Sequence, residues 1–190
     1  MTTLEINRIN TKDVNIEDAT PAMQQYLQTK KEYQDSILLY RMGDFYETFF
    51  EDAVRMSKEL EITLTARDCG NVLGKIPLAG IPAKALDGYL EKLVQKNIKV
   101  AVCEQLEDPK FAKGIVKRGV TRVITAGTIT ESNLLDKNKN NYICALFKDE
   151  KSDNYGFAYT DISTGEFKVS QAPYNLILSE LARINPSEII

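Results

Sequence analysis

Histidine is absent from all 190 residues, and cysteine occurs only three times (Cys69, Cys103, Cys144), with no CxxC spacing. A zinc site would therefore need more thiolates than the chain carries, or carboxylates alone. The missing imidazole also removes the commonest general base, which argues against hydrolytic and acyl-transfer chemistry. Carboxylate-and-metal chemistry stays open. So few and such scattered cysteines suit a reduced, cytoplasmic setting better than a disulfide scaffold. No run of 18 apolar residues occurs, and the opening "MTTLEINRINTKDVNIED" has no apolar h-region, so neither membrane spanning nor secretion is expected. A formal net charge of −3 excludes a uniformly basic nucleic-acid binder but says nothing about local patches.

What is present suffices for a core. The chain is 43% hydrophobic and 27% charged, a balance suited to one large domain, or one domain and part of another. Residues 1–19 are polar and without period, and are expected to form a mobile arm. In "TPAMQQYLQTKKEYQ", Thr20 suits an N-cap and Pro21 the first helical position. Met23, Tyr26, Leu27 and Lys30 follow at helical spacing, which predicts a helix over about 21–34. "SILLYRM" suits a buried strand ended by Gly43, "FFEDAVRMSKELE" a helix with Phe50, Ala53, Val54, Ser57 and Leu60 on one face, and "ITLTARD" a strand. "CGNVLGK" reads as a loop and "IPLAGIP" as a short strand or turn. "AKALDGYLEKLVQKN" is a strongly amphipathic helix, "IKVAVCEQL" a central strand, and "KFAKGIVKRGVTRVITAG" a loop ending in a strand.

The texture then changes. "TESNLLDKNKNN" reads as a connector, and three strand-like runs follow: "YICALFKD", "YGFAYTDI" and "GEFKVSQ". Ser163-Thr164-Gly165 turns the last two into a hairpin. A helix, "YNLILSELARI", and a strand beginning at "SEII" complete a β-β-β-α unit whose sheet is not closed. The class is α/β (α+β), a mixed sheet flanked by helices and followed by this incomplete unit. The expected divisions are 1–19, 20–128, 129–141 as linker, and 142–190. Such a chain is expected to be the N-terminal piece of a longer protein.

Four segments invite chemistry. "GNVLGKI" has three residues between its glycines and Ile76 after Lys75, so it fails the phosphate-loop pattern and reads as surface. Asp161 in "TDISTG" suggests either a turn-capping carboxylate or the start of a metal-dependent nuclease site, with Glu166 across the hairpin. From Pro109 to Arg122 the chain carries Lys110, Lys113, Lys117, Arg118 and Arg122 and no acid, which fits either a solvated loop or a phosphate-facing surface.

The fourth is "GDFYETFFEDA". Two capping boxes compete, Asp44 with Glu47 and Thr48 with Glu51. A helix starting at Asp44 would point Phe45 and Glu47 about 200° apart. A start between Thr48 and Asp52 leaves "DFYE" extended, with Tyr46 inward and Phe45 and Glu47 outward together. The helical stripe favours the later start, since Phe45 lies well off it. An outward ring beside an outward acid suits a probe of DNA: apolar wedges unstack weak base steps, and an acid bonds a displaced base edge while repelling phosphates.

"TPAMQQYLQTK", "LLYRMGDFYETFFEDA", "IPLAGIP", "VAVCEQLEDP" and "RVITAGT", in this order, resemble the N-terminal part of the MutS family of DNA mismatch-repair proteins, and "YGFAYTDISTGEF" continues the likeness more loosely. The resemblance implies a mixed-sheet mismatch-recognition domain, then a connector domain of ribonuclease-H-like fold without nuclease activity. It implies that Phe45 stacks at a mispair and Glu47 hydrogen-bonds the displaced base. Backbone contacts would fall to Lys84, Lys110, Lys113, Lys117, Arg118 and Arg122; Lys84 stands where many members carry histidine. The partner implied is mismatched double-stranded DNA. For the full-length family, the resemblance implies ATP and Mg as cofactors, a homodimer, and a MutL-type repair partner. ATPase activity belongs to that longer protein, and this segment is expected to have no enzymatic activity, metal or cofactor of its own.

Overall fold

The computed structural model describes residues 9–129 and 139–190, which form two compact units divided between Ile124 and Thr125. Residues 1–8 of the expected arm and 130–138 of the expected linker lie outside the described residues. Residues 9–19 depart from a mobile arm. They form two short 3-10 turns, Val14 and Ile16 pack on the core, and Ala19 is buried.

The first unit is a six-stranded mixed sheet. In chain order it runs α1 (Pro21–Glu32), β1 (Ile37–Met42), β2 (Phe45–Phe49), α2 (Phe50–Leu60), β3 (Thr65–Asp68), α3 (Gly70–Leu73), β4 (Lys75–Pro82), α4 (Leu86–Gln95), β5 (Val100–Gln105) and β6 (Arg118–Ile124). The strand order is β3-β4-β2-β1-β5-β6, with only β1 and β5 parallel. Strand alternation sends Leu38, Tyr40, Phe49, Ile76, Ala101 and Cys103 to the face covered by α1. Their neighbours Ile37, Leu39, Ile81, Val100 and Val102, also buried, take the opposite face with α2 and α4. In α1 the buried residues are the four at helical spacing, Met23, Tyr26, Leu27 and Lys30.

Three local readings are corrected. "CGNVLGK" is not a plain loop: Asp68 accepts the Gly70 N–H at 2.9 Å and starts a one-turn helix that buries Leu73. The buried stripe of α2 is Phe50, Asp52, Ala53, Met56 and Leu60, leaving Val54 and Ser57 half-buried. Neither capping box forms. Thr48 is fully buried within β2, and Glu51 accepts from the backbone and hydroxyl of Thr11. The strand passes into the helix with no connecting residue, the corner being Phe50 at φ +54.

Lys30 is the unusual member of its stripe. Its ammonium lies 2.8 Å from Asp52, donates to the Ser36 carbonyl at 2.6 Å, and is 3% exposed as a residue. Asp52 also accepts the Leu38 N–H at 3.0 Å, so one buried pair fastens α1, β1 and α2.

The second unit pairs β7 (Tyr142–Lys148), β8 (Asn154–Asp161), β9 (Glu166–Pro173) and β10 (Glu188–Ile189) in the order β10-β7-β8-β9, with α5 (Tyr174–Ile184) on one face. Cys144, Phe157, Tyr159, Ile177 and Ile184 form its core. The strand begun at "SEII" lies parallel to β7.

Removing one member of the buried pair leaves the other charged and unsolvated. Asp52→Ala is expected to cost about 3–5 kcal/mol, and the double change Lys30→Met with Asp52→Leu less than the sum of its parts. Urea titration followed by tyrosine fluorescence checks this; an unchanged midpoint for Asp52→Ala would sink it.

Candidate nucleic-acid interface

Strand register aligns one end of the first sheet. Met42 pairs with Phe45, Phe45 with Pro82, and Gln105 with Arg118, while parallel β1 and β5 end on the same side. The β1–β2 turn, the end of β4 and the β5–β6 loop therefore emerge from a single edge. Gly43, at φ +60, makes the tight turn that carries the chain from Met42 back to Phe45.

On that edge β2 is extended, and the helix starts at Phe50, within the expected Thr48–Asp52 window. Phe45 is 47% exposed, Tyr46 is 3% exposed, and Glu47 lies half-buried on the same side as Phe45. Tyr46 turns inward and donates to Glu104; burial and that carboxylate push its hydroxyl pKa up, so it stays a neutral donor. Glu47 pairs across the sheet with Gly80, where a side chain would lie against the glutamate stem, its Cβ 3.6 Å from the Glu47 Cγ.

Sequence reasoning missed two cations. Arg67, on β3, places Nη1 2.9 Å from the Glu47 carboxylate, with its guanidinium 5.6 Å from the centre of the Phe49 ring. Arg41 sits over Tyr46 and, with Asp44, Phe45, Pro82, Ala83 and Lys84, lines an open concavity around the exposed ring. Arg67 stands twenty positions from Glu47 in the chain, and only strand register brings the two together.

The basic segment divides. Lys110, Lys113 and Lys117 are exposed on the β5–β6 loop. Arg118 differs from its expected place on a phosphate-facing surface: Nε donates to the Arg41 carbonyl at 2.7 Å, Nη1 to Gln25 and Val116, and its plane covers Tyr40 at 5.1 Å. A fork engaged this way holds the edge together. Arg122 is half-buried opposite Val102, four residues along β6 and so about 13 Å from the strand end.

Asp161, in the second unit, is fully buried and accepts from Ser163 N–H (2.9 Å), Ser163 Oγ (2.6 Å), Thr164 N–H (3.3 Å) and Asn141 N–H (3.1 Å). Burial pushes its pKa up, but these hydrogen bonds outweigh it and hold the carboxyl below its usual value. Oδ1 closes the Ser163–Gly165 turn, and Oδ2 takes the Asn141 N–H just before β7. Among the described residues no three His, Cys, Asp or Glu side chains are grouped to hold a metal, and no helix is long and apolar enough to cross a membrane. All three cysteines are free and buried.

Comparison with known proteins gives a consistent picture. The family model for MutS domain I matches residues 20–133, and that for MutS domain II matches 141–190. The chain is similar to the DNA mismatch repair protein MutS of Syntrophomonas wolfei, at 54% identity over 177 residues. It is 51% identical to that of Alkaliphilus oremlandii and 49% identical to that of Acetivibrio thermocellus, each over 175 residues. These alignments cover 90–91% of this chain but 20% of each relative, so the chain spans about a fifth of the length of the curated relatives it matches.

Asp161→Ala strips the turn of its acceptor and should destabilise the second unit by about 2–4 kcal/mol. Because the folded pKa is depressed, the carboxylate's contribution is present above the unfolded value of about 3.9 and is lost as pH falls through the folded value. Asp161→Asn should therefore flatten the acid limb of the stability profile below about pH 4. Acid titration of near-ultraviolet circular dichroism checks this, and an acid limb identical to that of the parent would refute it.

Proposed function

The chain belongs to the MutS family, and from that membership and the sheet-edge geometry we propose that its first unit recognises mispaired bases in double-stranded DNA. The observation that carries the proposal is the extended pair Phe45 and Glu47, directed outward together from a strand whose intervening residue is core. Phe45 acts as the wedge. Unstacking costs least where pairing is faulty, so a ring offered to the groove enters at weak steps and is refused at sound ones. Glu47 accepts a hydrogen bond from the displaced base edge.

Arg67 changes how the acid works. An exposed carboxylate alone repels phosphates, but here a guanidinium 2.9 Å away offsets that repulsion and fixes the direction of the side chain. Glu47 then reaches the base already oriented, and the pair meets the duplex nearly neutral. Lys84, Lys110, Lys113 and Lys117 supply phosphate contacts that position the duplex without reading it. Arg118 and Arg122 take structural roles. The cofactors ATP and Mg, the homodimer and the MutL-type partner enter this proposal as properties of the longer protein that the relatives represent. The engaged oxygens of Asp161 support a turn role over a nuclease site.

Binding titrations of the full-length protein on matched and mismatched duplexes across salt test the reading. Phe45→Ala removes stacking worth roughly 1–3 kcal/mol and should bring mismatch affinity down towards the matched level. Glu47→Ala leaves Arg67 facing the duplex as an unpaired cation. Matched DNA should then bind more tightly while the mismatch advantage shrinks, and adding Arg67→Ala should reverse the gain on matched DNA. Glu47→Gln should retain much of the mismatch preference. A mismatch-to-match ratio untouched by Phe45→Ala would overturn the proposal.

Neutralising Lys110, Lys113 and Lys117 together should weaken both duplexes alike and lower the salt slope by about one unit for each phosphate that is no longer neutralised. An unaltered slope counts against the lysine loop as a backbone contact.

A further inference from the structure

Phe111 is the most exposed large hydrophobic side chain among the described residues, at 82%, yet it does not sit on a loose loop. The β5–β6 loop is closed at its neck by Leu106 N–H to the Lys117 carbonyl and by Lys117 N–H to the Glu107 carboxylate, both at 2.8 Å. Within it, Asp108 accepts Lys110 N–H at 2.9 Å through its side chain and Phe111 N–H at 3.0 Å through its carbonyl. That turn holds the ring outward. The same bonds engage Glu107 and Asp108 in accepting backbone N–H groups, and Lys110 and Lys113, both exposed, are the charged residues nearest Phe111 in the chain.

An apolar ring left this exposed, with a lysine on either side of it in the chain, fits a polyanion with apolar surface between its charges. Duplex DNA has this character, with deoxyribose and base edges lying between phosphates. The loop also rises from the same line of strand ends as Phe45 and Lys84. We infer that Phe111 is a second apolar contact to the duplex, resting against sugar or groove wall while Lys110 and Lys113 hold the flanking phosphates, and that it is indifferent to mispairing. This inference rests on the reading that the sheet edge faces DNA. It assigns the edge two aromatic contacts of opposite kind: Phe45 tests the stack, and Phe111 grips any duplex.

The test uses the full-length protein with Phe111→Ala and Phe111→Leu, and Phe45→Ala beside them. Phe111→Ala should weaken matched and mismatched duplexes by the same factor, roughly five- to tenfold by analogy with base–aromatic contacts. The mismatch-to-match ratio and the salt slope should not change, because no counterion-releasing charge is removed. Phe111→Leu should recover part of the affinity. A photoreactive phenylalanine analogue at position 111 should crosslink to DNA. Unchanged binding of both duplexes by Phe111→Ala overturns the inference. So does Phe111-dependent capture on vesicles of phosphatidylserine and phosphatidylcholine without any effect on DNA, which would make the loop a membrane contact. A ratio insensitive to Phe45→Ala, with the Phe111 effect intact, overturns the mismatch reading and leaves this inference standing.

Discussion

A lysine and an aspartate with almost no access to solvent set the frame on which the edge is built. Lys30 lies in the last turn of α1 and Asp52 in the first turn of α2, and between them they satisfy the Ser36 carbonyl and the Leu38 N–H at the start of β1. Desolvating two charges is expensive, and the arrangement is tolerable because the ammonium and both carboxylate oxygens are bonded. Its effect is positional. α1 covers the face carrying Phe49 and Tyr40, while α2 follows directly from the strand carrying Phe45 and Glu47. Fixing the two helices to β1 fixes the tilt of β2.

Much of this was legible in the sequence, because it rests on period. The helical stripe of α1 named its buried residues, including the lysine. The clash between a helical and an extended phase at "DFYE" was resolved by where the stripe of α2 could lie. What escaped depends on neighbours distant in the chain. Glu51 turned to Thr11, forty positions away, so the local capping pattern was not used. Arg67 met Glu47 only through strands paired out of sequence order. Arg118 looked like its basic neighbours until the Arg41 carbonyl and the Tyr40 ring claimed it. Composition sees a run of charge; it does not see which of those charges find partners inside the unit.

The second unit follows the same economy with a different device. Asp161 closes the β8–β9 turn, while Glu188 accepts from Thr125 and from Gly127 N–H at 3.0 Å, tying the start of the unit to its last strand. Gly127 is required there: a Cβ would lie 2.8 Å from that of Ile143 and 2.9 Å from that of Glu188. The glycine in "RVITAGT" thus marks a close approach between chain segments.

The uninterrupted passage from β2 into α2 also makes this stretch a ruler. From Phe45 to Asp52 there is no loop in which a change of length can be absorbed, because strand phase governs one end and the buried ion pair the other. One inserted residue would either exchange Phe45 and Glu47 for a neighbouring set on the outer face or rotate Asp52 about 100° away from Lys30. Substitutions along the stretch can be accommodated one side chain at a time, but insertions and deletions cannot. The spacing of the two ends is as tightly constrained as the residues it separates.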